Sequence, residues 1–352
     1  MMSKRFITII GIFLLLFFSG CSSAVPKTLE PITPHALAVD ARPMIIDTDM
    51  AADDWLAILY LLGRSDVDVK AITVTGAGEA HCSPGTRNAR NLATLAGRPD
   101  ILVTCGREKP LEGNHTFPQG WREAVDNLLG LTLPESAAEV NDECAADLLA
   151  EIVLNSPAKV HLVVLGPLTN VAKAIATEPN LVKNLEMITI MGGAVNVPGN
   201  VGTSSEIQNE VAEWNIYIDP TAAAQVFASA APITLVPLDA TNSVPLTLDF
   251  FKRLEKDRTN SVAEFVYRVL AAQEKYINSG TYYFWDPLAA AIATEEALAV
   301  FEDMKLVIKE EEGLESGRTL ESPEGFAIRV AVGADNASFE TLFLDVLNGR
   351  TP

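Results

Sequence analysis

The sequence predicts a single α/β domain in which a central, mostly parallel sheet is flanked by helices. Short apolar runs rich in Val, Ile and Leu alternate with stretches of helical spacing. The connections between many of them are short, which suits parallel strands joined by right-handed crossovers. Polar residues gather just after the strands, at the edge where open α/β sheets bind ligands. The 352 residues are 48% hydrophobic and 20% charged, an ordinary globular composition with length enough for one large domain.

Met44-Ile45-Ile46 opens as a buried strand, and Trp55 to Leu62 follows as an apolar helix. Val69 to Thr75 has strand composition, Thr86 to Ala96 helical character, and Gly97-Arg98-Pro99 stops that helix before the strand Ile101-Leu102-Val103. From Gly106 to about Asn141 no period is visible, and so long a loop is usually functional or mobile. Helix returns at Asp142 to Asn155. The strand Val160 to Leu165 turns through Gly166-Pro167-Leu168-Thr169-Asn170 into a helix at Val171 to Ala176. Met187 to Met191 is the next strand, followed by an irregular stretch, Ala194 to Glu210. Pro220 suits a first helical turn, so Thr221 to Ser229 reads as helix, and Ile233 to Val236 as strand. Two helices are expected over 248–277 and a short one through Ala293. Strands follow at Met304 to Lys309 and Phe326 to Val332, with a last helix at Ser338 to Leu347. There is no internal repeat.

The turn after the first strand holds Asp47, Asp49, Asp53 and Asp54 within eight residues. An acidic helix N-cap explains one or two of these. A hard cation with oxygen ligands, Ca²⁺ above all, explains all four. The net charge of −20 and the absence of a basic stripe argue against nucleic acid as a partner.

Lys4 and Arg5, an apolar run from Phe6 to Phe18, and Ser19-Gly20-Cys21 form a signal peptide too short for a comfortable membrane span. Cys after Ser-Gly resembles a bacterial lipoprotein signal. Residues 1–20 are then the signal, Cys21 the lipidated residue, 21–42 a Pro-containing tether and 43–352 the domain. This places the protein in the bacterial cell envelope, joined to a membrane by its lipid. Cys82, Cys105 and Cys144 have neither a disulfide framework's pattern nor zinc spacing; free buried thiols are the default, and a pair among them stays open.

The chain resembles the nucleoside hydrolases, calcium-dependent enzymes that cleave the glycosidic bond of ribonucleosides. Asp47, Asp49, Asp53 and Asp54 match the family's Asp-x-Asp-x-x-x-Asp-Asp loop. Gly-Pro-Leu-Thr-Asn, Met-Gly-Gly, Pro-Gly-Asn, Ala-Glu-Trp-Asn-Ile-Tyr and Trp-Asp-Pro recur in family order over about residues 43–350. Met50-Ala51 stands where the family usually carries Pro-Gly. The resemblance implies a Rossmann-like architecture and a homodimer or homotetramer. It implies a calcium site from Asp49, Asp54, Asp286 and the Leu165 carbonyl, with Asp49 also the general base on calcium-bound water. Asp53, Asn200, Glu213 and Asn215 would hold the ribose, with Asn209 the rival of Asn200. Glu79, beside the ribose and metal, replaces a frequent Asn.

Trp285 stands where many members have His before the metal-binding Asp. With Phe117-Pro118-Gln119-Gly120-Trp121 it resembles the branch preferring inosine, adenosine and guanosine, in which two indoles sandwich the purine. Trp121, in the long loop, could serve as a lid. Trp55, Trp214 and His161 read as core. His81 and His115 are weaker candidate proton donors, and Asn242 a candidate cleft residue. Purine nucleoside hydrolysis is thus expected. A non-catalytic nucleoside- or ribose-binding lipoprotein, or a hydrolase of pyrimidine or nicotinamide ribosides, is the alternative.

Overall fold

The computed structural model describes residues 28–138, 141, 143–204 and 207–350. The signal peptide and Cys21 lie outside these residues. The strands among them are β1 (Arg42–Thr48), β2 (Val67–Val74), β3 (Leu102–Cys105), β4 (Val160–Val164), β5 (Leu185–Met191), β6 (Ile233–Val236), β7 (Ala299–Ile308), β8 (Thr319–Glu321) and β9 (Phe326–Ala334). They form one sheet in the order β3-β2-β1-β4-β5-β6-β9-β7-β8. Pairing is parallel from β3 through to β9 and antiparallel only where β7 meets β9 and β8. The order reverses between β1 and β4, which opens a crevice at their carboxyl ends.

Side chains alternate across the sheet, as the two-residue period of a strand requires. Met44 and Ile46 of β1 enter one core and Ile45 the other, and all three are fully buried. The helices are α1 (Ala52–Leu62), α2 (Cys82–Leu95), α3 (Gln119–Asp126), α4 (Ala145–Asn155), α5 (Thr169–Thr177), α6 (Trp214–Ile218) and α7 (Pro220–Ala228). They continue with α8 (Leu238–Thr241), α9 (Leu248–Lys256), α10 (Ser261–Ala272), α11 (Glu274–Ser279), α12 (Trp285–Thr294) and α13 (Asn336–Leu347). The core on one face joins α1, α2, α9, α10, α12 and α13; the other joins α4, α5 and α7. Among the described residues no helix is long and apolar enough to cross a membrane.

Several sequence expectations are corrected here. The stretch 106–141 is not without helix, because α3 lies inside it. Its amphipathic pattern was too short to see between Gly and Asn residues. Residues 248–277 carry parts of three helices, α9, α10 and α11, rather than two. The described part of the expected tether runs along the domain. Leu29 is buried in the core, and the Ile32 N–H donates to the Leu95 carbonyl at 2.9 Å. The free-thiol default fails for two cysteines: Cys82 and Cys105 form a disulfide, and Cys144 is free. β2 and β3 pair in register at Val74 and Cys105, and the loop after β2 carries Cys82 back over that end.

Candidate active site

The acidic turn after β1 sits at the crevice between β1 and β4. Asp47, Asp49 and Asp54 are buried, and Asp53 is partly so. Thr73 Oγ1 and Asn170 Nδ2 donate to Asp47 Oδ1 at 2.5 and 2.8 Å, so Asp47 braces β1 against its neighbours. Asp49 Oδ2 accepts the Glu79 N–H at 3.0 Å, and the Ala80 N–H reaches the Asp49 carbonyl at 2.9 Å. Two glycines make room for this residue. A Cβ at Gly78 would fall 2.1 Å from Asp49 Cβ, and one at Gly166 2.8 Å from it. Only glycine lets both loops close on Asp49.

The turn itself is held in an uncommon shape. Met50 has φ of 61°, a left-handed conformation rare outside Gly, Asn and Asp. Its N–H donates to Thr48 Oγ1 at 2.9 Å, and its carbonyl accepts the Trp55 indole N–H at 2.9 Å. Thr48 Oγ1 in turn donates to Asp54. The substitution of Met50-Ala51 for Pro-Gly therefore changes the backbone: proline's ring fixes φ near −65° and forbids this conformation.

Carboxylate oxygens of Asp53, Asp54 and Asp286, the last at the start of α12, lie within 4.8 Å of one another. Asp49 is not part of that trio but faces it electrostatically. Burial, followed by the charge of Asp49, raises the Asp54 carboxyl well above the usual range; burial and then the charge of Asp54 do the same to Asp286. Burial pushes Asp49 up to about 6 and Asp53 to about 7. Asp54 Oδ2 is buried with no hydrogen-bond partner. Crowded carboxylates with an orphaned oxygen are the donor set a hard cation requires, so these residues fit Ca²⁺.

The sugar candidates converge on the same edge, each with structural duties. Glu213 caps α6: its carboxylate accepts the N–H groups of Asn215 (3.0 Å), Ile216 (3.2 Å) and Gly193 (2.9 Å). Burial nevertheless raises it to about 7. Asn215 Nδ2 donates to the carbonyls of Leu165 at 3.0 Å and Met191 at 3.1 Å. Asn200 Oδ1 accepts the Trp214 N–H at 3.1 Å. Its rival Asn209 is buried with both ends engaged, Nδ2 on the Ser316 carbonyl and Oδ1 on the N–H groups of Val211 and Ala212. Burial, then the charges of Asp49 and Asp53, lifts Glu79 well above its ordinary value.

The aromatic candidates stand in two groups. Trp121, 38% exposed on α3, tilts against Trp214 with ring centroids 5.4 Å apart. Trp285 at the start of α12 packs edge-on to Tyr282 at 5.2 Å and beside Tyr283 at 5.8 Å. Trp55 is core, as expected. Trp214 is buried, but in a small cluster with Phe117 and Tyr217 that supports Trp121. The expected lid tryptophan thus rides on a helix tied down at its far end, where Asp126 accepts the His81 N–H at 3.0 Å and pairs with His81 Nδ1 at 2.7 Å. His115 is engaged at both nitrogens, by the Tyr217 carbonyl and Glu312. His161 is a core residue bonded to Thr189, its pKa lowered to about 4 by burial.

Sequence reasoning missed two residues. Arg122 is buried beside the acidic site, and Tyr282 is buried with its hydroxyl raised well above the usual range by burial and then by the charges of Asp53 and Glu79. Neither lies in a matching motif. The signal available was adjacency alone, Arg122 next to Trp121 and Tyr282 three residues before Trp285.

Residues 44–341 match the sequence profile of the inosine-uridine preferring nucleoside hydrolase family. The pyrimidine-specific ribonucleoside hydrolase RihA of Klebsiella pneumoniae is 34% identical over 229 residues, 64% of this chain and 70% of that protein. The chain spans about two thirds of the length of the curated relatives it matches. Among solved structures, the inosine-uridine preferring nucleoside hydrolase of Bacillus anthracis superposes with a TM-score of 0.77 at 25% identity, covering 88% of this chain and 99% of that one. The purine-preferring ribonucleoside hydrolase of Gardnerella vaginalis gives a TM-score of 0.76 at 27% identity, with the same coverages.

Proposed function

Because the chain belongs to the inosine-uridine preferring nucleoside hydrolase family, we propose that it hydrolyses the N-glycosidic bond of ribonucleosides, purine nucleosides first, to free base and ribose. The observation that carries this reading is the convergence of Asp53, Asp54 and Asp286, with Asp49 acting on them through its charge and a buried Asp54 oxygen left unpartnered. A calcium ion held by Asp49, Asp54, Asp286 and the Leu165 carbonyl would acidify the attacking water and grip sugar hydroxyls. Asp49 accepts the water's proton as general base, and the firm bond from the Glu79 N–H keeps its carboxylate aimed. Asp53, Asn200, Glu213 and Asn215 hold the ribose, with Glu79 beside them. Asn200 is preferred to Asn209, whose two ends are spent on backbone. The base leaves C1′ through an oxocarbenium-like state.

Trp121 and Trp285 stack on the base. Two indoles favour a large flat purine and raise its proton affinity, which replaces a side-chain acid. Pyrimidine hydrolysis is the second reading. It is favoured by the pyrimidine-specific RihA relatives.

Release of free base from inosine, adenosine, guanosine, uridine and cytidine, each with and without a chelator, tests all of this. Silence with every substrate would end the purine and pyrimidine readings and leave the binding-protein and nicotinamide riboside alternatives. Uridine turned over as fast as inosine would end the stacking reading, and chelator-resistant turnover the metal reading. The protein further acts outside the cytoplasm, lipid-anchored at Cys21. The Cys82–Cys105 disulfide supports an oxidising compartment. Cys21→Ala should move the protein from the membrane fraction to the soluble one; unchanged fractionation would count against the anchor.

A further inference from the structure

Arg122 sits on α3, beside Trp121 and 8% exposed. Among the described residues no carboxylate lies within ion-pair distance of it. Its guanidinium is spent mostly on backbone instead, apart from Nη1, which donates to Thr116 Oγ1 at 3.4 Å. Nη2 donates to the carbonyls of Gly76 at 3.0 Å and Ala80 at 3.5 Å, and Nε to that of Glu79 at 3.3 Å. Burying a cation among carbonyls is costly, so what those carbonyls hold matters. The Glu79–Ala80 peptide group carries two bonds at once. Its C=O accepts from Arg122, and its N–H donates to the Asp49 carbonyl at 2.9 Å. The preceding N–H, of Glu79, donates to Asp49 Oδ2. At the other end of α3, Asp126 grips His81 of the same loop. Helix and loop are thus fastened at two points and must shift together.

We propose that Arg122 is a positioning residue that couples the base-stacking face at Trp121 to the orientation of Asp49. The inference rests on the roles given above to Trp121 and Asp49. A base seated on Trp121 steadies α3; Arg122 then steadies the Glu79–Ala80 peptide, and that peptide steadies Asp49.

Amide hydrogen exchange on the full chain with calcium, using adenine and uracil as unreactive probes, tests the coupling. In the wild type a bound base should slow exchange both around Trp121 and at Glu79–Ala80. In Arg122→Met only the first effect should remain, and kcat should fall about tenfold to a hundredfold, the cost of a misplaced group, with a smaller change in KM. Arg122→Lys should recover part of both, and it carries the same comparison if the Met variant does not fold. The loss caused by Trp121→Ala should be smaller in the Arg122→Met background than in the wild type. Equal slowing at Glu79–Ala80 in wild type and Arg122→Met, no slowing there with either base, or strictly additive losses would each overturn the coupling. A wild type that shows the exchange pattern yet turns over no nucleoside would instead defeat the hydrolase reading and leave the coupling standing.

Discussion

Asn215 Nδ2 donates to the carbonyl oxygen of Leu165 at 3.0 Å, and the same nitrogen holds Met191. The residue proposed to hold ribose therefore also orients the carbonyl proposed to bind the cation. A carbonyl oxygen has two lone pairs and can serve both. Asn215→Ala should lower stability by about 1–3 kcal/mol, the cost of leaving buried acceptors unpaired. It should also raise the calcium concentration needed for half-maximal activity. Thermal unfolding and a calcium titration of activity check this. A shift in KM for nucleoside alone would mean that Asn215 serves only the sugar.

The buried carboxyls set a pH dependence with a definite sign. Burial raises Asp47 and Glu213 to about 7, well above values near 4 in an unfolded chain. Between those limits the folded state binds more protons than the unfolded one. The contribution of these two groups to the stability of the cation-free protein is therefore fullest below about pH 4 and is lost as pH rises towards about 7. Melting in chelator should show Tm falling from pH 5 to pH 7.5. Calcium should restore Tm most at the upper end, since it would neutralise Asp49, Asp54 and Asp286, which burial raises in the same direction. A chelated Tm that climbs over the same range would contradict the burial argument.

The sheet and the acid loop were legible in the sequence because each rests on local pattern. Met44-Ile45-Ile46 reads as a buried strand, and the aspartates after it as its junction with the next helix, where Asp47 proves to end β1, Asp49 to lie on the turn and Asp53 and Asp54 to open α1. What was not legible depends on pairing across distance. Nothing local shows that Cys82 meets Cys105, since that follows from the register of β2 and β3. Nothing local distinguishes Asn200 from Asn209 either, until the Ser316 carbonyl claims Asn209. Arg122 lies in a stretch with no visible period, and only the fold brings Gly76 and Glu79 under it.

The disulfide gives a third expectation. It closes a segment with a sequence separation of 23, and cross-links of this span are worth about 3 kcal/mol. Cys82→Ser should lower Tm by several degrees under oxidising conditions and make the protein insensitive to dithiothreitol. The bond also joins the start of α2 to the end of β3, next to the loop that holds Asp49. Reduction should therefore weaken activity at temperatures where the chain is still folded. Identical melting of reduced and oxidised wild type would show that the bridge contributes nothing.

Met50 supplies the last. Its left-handed backbone places its N–H on Thr48 and its carbonyl on the Trp55 indole, a pair of bonds that fixes the turn from which Asp49, Asp53 and Asp54 project. A proline at this position, common in the resembled family, would lose the N–H and demand φ near −65°. Met50→Pro alone should then cost about 3 kcal/mol or more, although it restores the family's residue. It should also raise the calcium concentration needed for half-maximal activity, because the acids would project from a differently shaped turn. Met50→Gly keeps the backbone and loses only a buried side chain, so it should melt below the wild type yet retain calcium-dependent turnover. If the proline variant matches the wild type in Tm and calcium response, the left-handed turn is not the working conformation. The indole bond of Trp55 would then have no part in holding the site.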